Sequence, residues 1–252
     1  MTMPSCPYSG VVPVPHSPQA DAALAQAALD DEKNHGASSA DVKAPVPWAF
    51  RDGWWLDSWW TAPTQVTLFS AQWTVPPDPA STGALLFFFP SIHSTPDHAH
   101  IVQPVLQWGK NGTDGGVNYW TMSNWYYHNT ANQAHTTPMR TYAGHRISGA
   151  MTRATSTTNQ WGISFRDQTA GVTKSLTART GATNWRDLQG GVMEVYHVTS
   201  CKQLPTGPIT FNAYVVSGTA TPAFYAHGNS SSCFGAVTAS SVSTKLSWST
   251  TA

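Results

Sequence analysis

The sequence predicts an all-β protein: an antiparallel β-sandwich or barrel that follows a short helical appendage. From residue 65 onward, short strand-like segments alternate with segments rich in Gly, Ser, Thr, Asn and Pro. β-Branched and aromatic residues are common, and charged residues make up only 10% of the chain. The chain has 252 residues, which is enough for one large domain with a substantial core.

The charge balance and hydropathy exclude two classes of partner. Thirteen basic residues balance thirteen acidic ones, so nothing in the composition favours nucleic-acid binding. No run of 18 apolar residues is present, so we expect no membrane-spanning helix. The N-terminal residues lack a basic start and a continuous apolar stretch, and they do not form a secretory signal.

Two regions are expected, an appendage over residues 1–46 and a β-sandwich domain over residues 47–252. Residues 20–34 are rich in Ala and Leu and predict a helix that ends before Gly36. The appendage is interpreted as a pro-segment, a packing arm or a linker.

Residues 48–60 contain five tryptophans. They are expected either to plug one end of the core or to form an aromatic wall of a cleft that binds peptide side chains or sugar rings. Next along the chain, residues 66–75 alternate and place Phe69 and Trp73 on one face of a strand. Residues 84–90 form a continuous apolar run that is expected to be buried on both faces.

Polar side chains interrupt two apolar strands. The segment IVQPVLQWG, residues 101–109, carries Gln103 and Gln107, whose spacing of four puts both amides on the same face. The segment GVMEVYHV, residues 191–198, carries Glu194 on one face with Val192, Tyr196 and Val198. A buried amide or carboxyl without a partner costs roughly 1–3 kcal/mol, so these groups need hydrogen bonds or a function.

Glu194 and Gln107 together suggest hydrolysis. A carboxylate can take a proton from water, and an amide can donate to the oxyanion that forms when the water attacks. The two groups are expected to meet across adjoining strands. The alternative is a buried hydrogen bond that only stabilises the fold.

Histidines 93, 98 and 100 lie in a segment, residues 91–100, that is predicted to be a solvated loop. The spacing of His98 and His100 also occurs in metal sites, but no ligand set is visible, so no metal or cofactor is expected. Cys201 and Cys233 can pair in a disulfide that would leave Cys6 free, or all three thiols can be reduced.

The order of these motifs resembles that of the eqolisin glutamic peptidases. The similar segments are FSAQWTVP (69–76), VLQWG (105–109), YWTMSNWYY (119–127), AGHRISGAMT (143–152), GVMEVYHV (191–198) and PITFNAYVV (208–216). The resemblance spans roughly residues 65–216, and the shared order carries more weight than any single motif.

This resemblance implies a concanavalin-like sandwich of two antiparallel sheets, with a cleft that binds a peptide or polypeptide. It implies that Glu194 is the general base and that Gln107 stabilises the oxyanion, without a metal. Trp73 and Trp125 are implied as cleft residues that bind substrate. Tyr196 and Gln103, which share the faces of the two catalytic residues, are also expected to bind substrate. A secreted protein is favoured by the resemblance.

Two other functions stay open. One is a lectin-like sandwich that binds glycans through its tryptophans without catalysis. The other is a divergent enzyme on the same scaffold that acts on a substrate other than a peptide.

Overall fold

The computed structural model describes residues 53–111, 118–129, 132–154, 159–218, 221–228 and 232–251. They form two antiparallel sheets that pack face to face, which confirms the predicted all-β sandwich. The predicted helix over residues 20–34, the rest of the appendage 1–46 and Cys6 lie outside the described residues. Among the residues that are described, no helix is long and apolar enough to cross a membrane.

The first sheet contains eight strands, in the spatial order β13-β1-β11-β3-β4-β5-β6, with β7 also paired to β5. Its strands are β1 (Gly53–Thr61), β3 (Leu85–Ser94), β4 (Ile101–Trp108), β5 (Trp120–Asn129), β6 (Asn132–His135), β7 (Met139–Arg140), β11 (Trp185–Tyr196) and β13 (Tyr225–Ala226).

The second sheet contains seven strands, in the order β10-β9-β8-β2-β12-β15-β14. Its strands are β2 (Leu68–Thr74), β8 (Arg146–Arg153), β9 (Gln160–Asp167), β10 (Val172–Arg179), β12 (Ile209–Val216), β14 (Ala236–Ala239) and β15 (Ser243–Ser247).

Large apolar side chains from both sheets fill the space between them. Leu86, Leu106 and Met193 of the first sheet pack in one cluster with Trp73 and Phe211 of the second. Successive side chains of a strand point to opposite faces. The residues next to Leu86, Leu106 and Met193 on β3, β4 and β11 therefore point to the other side of the first sheet. We call that opposite side, which is turned away from the second sheet, the outer face.

The outer face is also apolar over much of its area. Its buried cluster consists of Leu85, Phe87, Phe89, Val105, Val192 and Tyr196, with Trp54 and Trp125 packed against it. These residues all belong to the first sheet. Strand β3 is therefore buried on both faces, as its continuous apolar sequence predicts.

The tryptophan-rich segment forms β1, and its rings lie on both sides of the first sheet. Trp55 and Trp60 lie in the core between the sheets. Trp54 packs against the outer-face cluster, and its ring lies 5.8 Å from that of Trp59. Trp48 lies outside the described residues.

The predicted solvated loop over residues 91–100 is wrong. Residues 91–94 continue β3, and His93, His98 and His100 are all buried. One ring nitrogen of each has a partner elsewhere in the chain, such as Gln189 for His93 Nε2. No local pattern reveals such partners.

Two features shape the end of β11. A bulge between Gln189 and Val192 contains Gly191, where a Cβ atom would lie 2.3 Å from the ring of Phe211. After Tyr196, His197 adopts a φ of 58°, and Val198 turns into the core between the sheets. The prediction that Val198 shares the face of Glu194 is therefore wrong.

Cys201 and Cys233 form a disulfide in the structure. Cys201 begins a short 3-10 helix, Cys201–Gln203, and Cys233 lies in another, Ser232–Phe234. Both cysteines are buried in the core between the sheets. The bond thus joins the segment after β11 to the segment before β14.

Candidate active site

Glu194 and Gln107 lie on the outer face, in one row across the first sheet. Glu194 pairs with Phe87 of β3, and Phe87 pairs in turn with Gln107 of β4. Residues that pair across neighbouring strands point to the same side, so the three side chains share the outer face. Trp54 of β1 pairs with Glu194 at one end of the row, and Thr121 of β5 pairs with Gln107 at the other.

The two candidate catalytic residues do not lie on adjoining strands, as expected from the sequence. Strand β3 runs between β11 and β4. The backbones of Glu194 and Gln107 are therefore separated by two strand spacings, roughly 9–10 Å. Phe87 forms the floor between them.

Glu194 is a buried acid with an unusual proton affinity. It is only 1% exposed, and burial raises the pKa of its carboxyl from 4.5 to about 7. The hydroxyl of Tyr196 donates a hydrogen bond to Oε1, which favours the charged form and partly offsets the effect of burial. A carboxyl with a pKa near neutrality can both take up and release a proton during a reaction.

Gln107 is completely buried, and a hydrogen bond orients its amide. Its Nε2 donates to the backbone oxygen of Gly109 at 2.8 Å. A primary amide can donate and accept hydrogen bonds at once, so an oriented Gln107 suits contact with a polar ligand group. Gly109 has a φ of 86°, which suits glycine, and the backbone turns there at the end of β4.

Thr121 is a member of the row that the sequence did not single out. Its hydroxyl is buried and has no hydrogen-bond partner in the described part of the chain. It pairs with Gln107 and shares its face. A buried hydroxyl without a partner normally costs free energy, so Thr121 is a further candidate to contact a ligand here.

Three of the four predicted substrate-binding residues lie on the outer face. Tyr196 bonds to Glu194, as described. Gln103 pairs with Trp125. This pair lies two positions from the pair of Val105 and Ser123, so it shares the outer face with Val105. The Trp125 ring is half-buried and stacks on His135 with 4.2 Å between ring centroids, and its Nε1 donates to Ser123 Oγ at 2.7 Å.

Trp73, the fourth, does not reach the outer face. It lies in the core between the sheets, with its ring 5.2 Å from Phe165 and 5.0 Å from Phe211. The alternation predicted for β2 is correct, but the shared face of Phe69 and Trp73 is the one that the first sheet covers. The prediction that Trp73 is a cleft residue is therefore wrong.

A second cluster of polar side chains on the outer face was not predicted from the sequence. Gln189 Nε2 donates to Asp57 Oδ2 at 3.2 Å, while Gln189 Oε1 accepts from Ser91 Oγ at 2.7 Å and lies 2.9 Å from His93 Nε2. His227 Nδ1 lies 3.1 Å from Asp57. Burial lowers the pKa of His93 to about 3, so its ring is neutral. Asp57 is the one acid in the tryptophan-rich strand β1. This isolated charge was the feature of the sequence that could have pointed to the group.

Asp187 and His98 form a further buried pair beside this group. His98 Nε2 lies 2.9 Å from Asp187 Oδ2, and the hydroxyls of Thr61 and Thr95 donate to the same carboxylate at 2.6 Å. Burial opposes ionisation of Asp187, but these hydrogen bonds outweigh it and lower its pKa. The described residues contain no group of three or more His, Cys, Asp or Glu side chains arranged to hold a metal ion.

Similar structures share this architecture. The chain aligns with scytalido-glutamic peptidase, solved with a transition state analog inhibitor, at a TM-score of 0.56 and 13% identity, covering 79% of this chain and 100% of that one. The chain described here shares its fold with the eqolisin glutamic peptidases. SCP-B, an eqolisin solved with the tripeptide Ala-Ile-His, aligns at the same TM-score, identity and coverage. No protein-family model matches the sequence, and no curated protein does either.

Proposed function

We propose that this protein is a hydrolase of the glutamic-peptidase type that cleaves peptide bonds, with Glu194 as the general base and Gln107 as the donor to the oxyanion. The observation that supports this best is the row across the outer face. A carboxyl with a pKa of about 7 and an oriented amide share one face, one strand spacing to either side of Phe87.

The separation of the two residues suits a substrate held between them. Two strand spacings, roughly 9–10 Å between backbones, match the distance that a carbonyl group and a water molecule would span between the two side chains. Glu194 has its Oε1 bonded to Tyr196, which leaves Oε2 to accept from that water. The amide of Gln107, oriented by its bond to Gly109, would donate to the carbonyl oxygen.

The reaction then follows in two proton transfers. Ionised Glu194 takes a proton from water while the water oxygen bonds to the carbonyl carbon, and the carbonyl π electrons move to oxygen. The resulting oxyanion accepts a hydrogen bond from Gln107. Protonated Glu194 then gives its proton to the leaving nitrogen as the C–N bond breaks, which restores the carboxylate.

The rest of the face would bind the peptide on either side of the row. Trp125 and Gln103 lie beyond Gln107 on β5 and β4 and would contact the substrate chain. Tyr196 acts on the carboxylate rather than on the substrate, because its hydroxyl already donates to Glu194. Two of the similar structures were solved with such ligands, one with a transition state analog and one with a tripeptide.

Hydrolysis of casein across pH 2–9 tests the proposal. Glu194→Gln should lower the rate by about 10²–10⁴, the usual contribution of a general base. Gln107→Leu should lower it by about 10²–10³, as expected for one oxyanion donor. Gln72→Leu, on the side of β2 opposite to Phe69 and Trp73, is the matched control and should keep the wild-type rate. Equal rates for wild type and Glu194→Gln would refute the proposal.

Binding of glycans without catalysis is the second candidate function. It is favoured by the half-buried rings of Trp54 and Trp125 on the outer face, since sugar rings pack on such surfaces. A wild-type protein that cuts no casein at any pH but binds glycans on an array, and loses that binding in Trp125→Ala, would establish this function in place of hydrolysis.

A further inference from the structure

A groove lies at the side of the sandwich where the last strands of both sheets meet. Strand β6 ends the first sheet and β10 ends the second. The groove has a volume of about 600 Å³. Its lining residues are His100, Tyr126, His128, Gln133, Ala134, Thr177, Ala178, Arg179 and Gly181. We call it the histidine groove.

Two histidines stack in this groove. The rings of His100 and His128 lie 3.9 Å apart and are inclined by only 5°. Each ring is oriented by its Nδ1 atom, which lies 2.9 Å from the Tyr126 hydroxyl for His100 and 3.2 Å from the backbone oxygen of Ala99 for His128. In both rings, Nε2 is left as the atom that can meet a ligand.

His100 Nδ1 lies within hydrogen-bond distance of the Tyr126 hydroxyl. With Tyr126 as the donor in that bond, His100 Nε2 carries the ring proton and is an N–H donor. It lies beside Gly181, where a Cβ atom would be 3.7 Å from it, so glycine keeps the approach open.

The remaining polar groups of the groove are also donors. Arg179 contributes an exposed guanidinium at the end of β10, and Gln133 and Thr177 contribute an amide and a hydroxyl. No carboxylate is among the lining residues. The nearest acid that acts on His100 is Asp97, whose carboxylate accepts from the Ser94 hydroxyl and the Ala99 N–H.

We propose that the histidine groove is a binding site for an oxyanion, a carboxylate or phosphate group, held by Arg179 and the stacked rings of His100 and His128. Burial and the nearby His128 lower the pKa of His100. An anion bound beside the two rings would favour a protonated imidazole there, so binding should strengthen as the pH falls.

Titration with inorganic phosphate tests this site, followed through the histidine Cε1–H signals in NMR spectra at pH 6 and pH 8. The signals of His100 and His128 should shift saturably at pH 6, with binding at least threefold weaker at pH 8. Succinate and acetate form the second arm. Binding of succinate but not phosphate would identify the ligand as a carboxylate, and the reverse would identify a phosphate.

Three variants make the test specific. Arg179→Gln should weaken phosphate binding at least tenfold, while Arg166→Gln, an exposed arginine on β9, should not. His128→Asn keeps a donor for the Ala99 oxygen but removes Nε2, and it should abolish the pH dependence. Signals that do not saturate, or equal losses in both arginine variants, would show ionic screening alone and overturn the proposal. Casein hydrolysis is not a readout here, so the outcome is independent of the outer-face chemistry.

Discussion

Tyr196 donates its hydroxyl hydrogen bond to Glu194, two residues earlier on the same strand and on the same face. The bond acts on one of the most deeply buried acids among the described residues. It stabilises the carboxylate, whereas burial stabilises the neutral acid, and burial has the larger effect. The balance between them sets the pH at which this carboxyl can act as a base.

Glu194 should make the folded state less stable as the pH rises. Because its pKa is raised from 4.5 to about 7, the folded state binds the proton more tightly than the unfolded chain does. The resulting stabilisation is complete below the unfolded pKa and is lost as the pH rises through about 7. The loss should be on the order of 3 kcal/mol, at 1.36 kcal/mol per pKa unit.

Urea unfolding of wild type and Glu194→Gln between pH 4 and pH 8 measures this difference. The free energy of unfolding of wild type should fall relative to that of the variant, in which the group does not titrate. Parallel curves across this range would mean that the carboxyl is not desolvated in the folded protein.

Asp187 should have the opposite dependence on pH. Its pKa is lowered by hydrogen bonds from His98, Thr61 and Thr95, so it stabilises the folded state above the unfolded pKa of about 3.9. That contribution is lost as the pH falls through the lower folded value. Asp187→Asn should cost about 2–3 kcal/mol at pH 6, because the buried network loses the negative charge and one of its two acceptor oxygens.

Denaturant titrations at pH 6 and pH 3 check the Asp187 prediction. The difference between wild type and Asp187→Asn should shrink at the lower pH. Asp78→Asn, at an exposed position, should change neither value by more than about 0.5 kcal/mol. An Asp187→Asn variant as stable as wild type at pH 6 would count against the network.

The disulfide between Cys201 and Cys233 should stabilise the domain without affecting the chemistry. It closes a loop with a sequence separation of 32, for which the chain-entropy estimate is about 3–4 kcal/mol. The double variant Cys201→Ala, Cys233→Ala should lose about that much in urea unfolding and keep its activity below the new transition. An unchanged unfolding midpoint would show that the bond contributes nothing.

Trp73 and Trp125 should respond to truncation in different ways. Trp73→Ala removes a core ring between Phe165 and Phe211 and should cost about 3–5 kcal/mol of stability. Trp125→Ala removes a half-buried outer-face ring and should raise KM for peptide substrates with a much smaller loss of stability. Thermal unfolding and steady-state kinetics on the same two variants separate these effects; the reverse pattern would place Trp73 in the cleft.

Local alternation in the sequence was enough to predict the strands and to group side chains by face. It put Gln103 with Gln107 and Glu194 with Tyr196 correctly, because strand periodicity depends only on neighbouring residues. It could not tell which face of β2 is covered, and Trp73 was placed wrongly for that reason. Both faces of a strand can be apolar when each is buried, so hydropathy alone does not identify the cleft.

Contacts between distant parts of the chain could not be predicted. The order β1-β11-β3-β4 brings Glu194 and Gln107 into one row with Phe87 between them, and no motif gives that order. His93 was assigned to a solvated loop because its partner, Gln189, lies 96 residues away. Thr121 was missed because a threonine in an aromatic strand is unremarkable until its hydroxyl is found buried without a partner.

The dependence of kcat/KM on pH for a peptide substrate tests the central claim most directly, measured for wild type and Tyr196→Phe. If ionised Glu194 is the general base, the wild-type rate should rise with pH through an apparent pKa of about 7. Tyr196→Phe removes the hydrogen bond that favours the carboxylate, so its profile should move to higher pH by about one unit. Superimposable profiles for the two proteins, or a rate that does not change across this range, would contradict the assignment of Glu194 as the base.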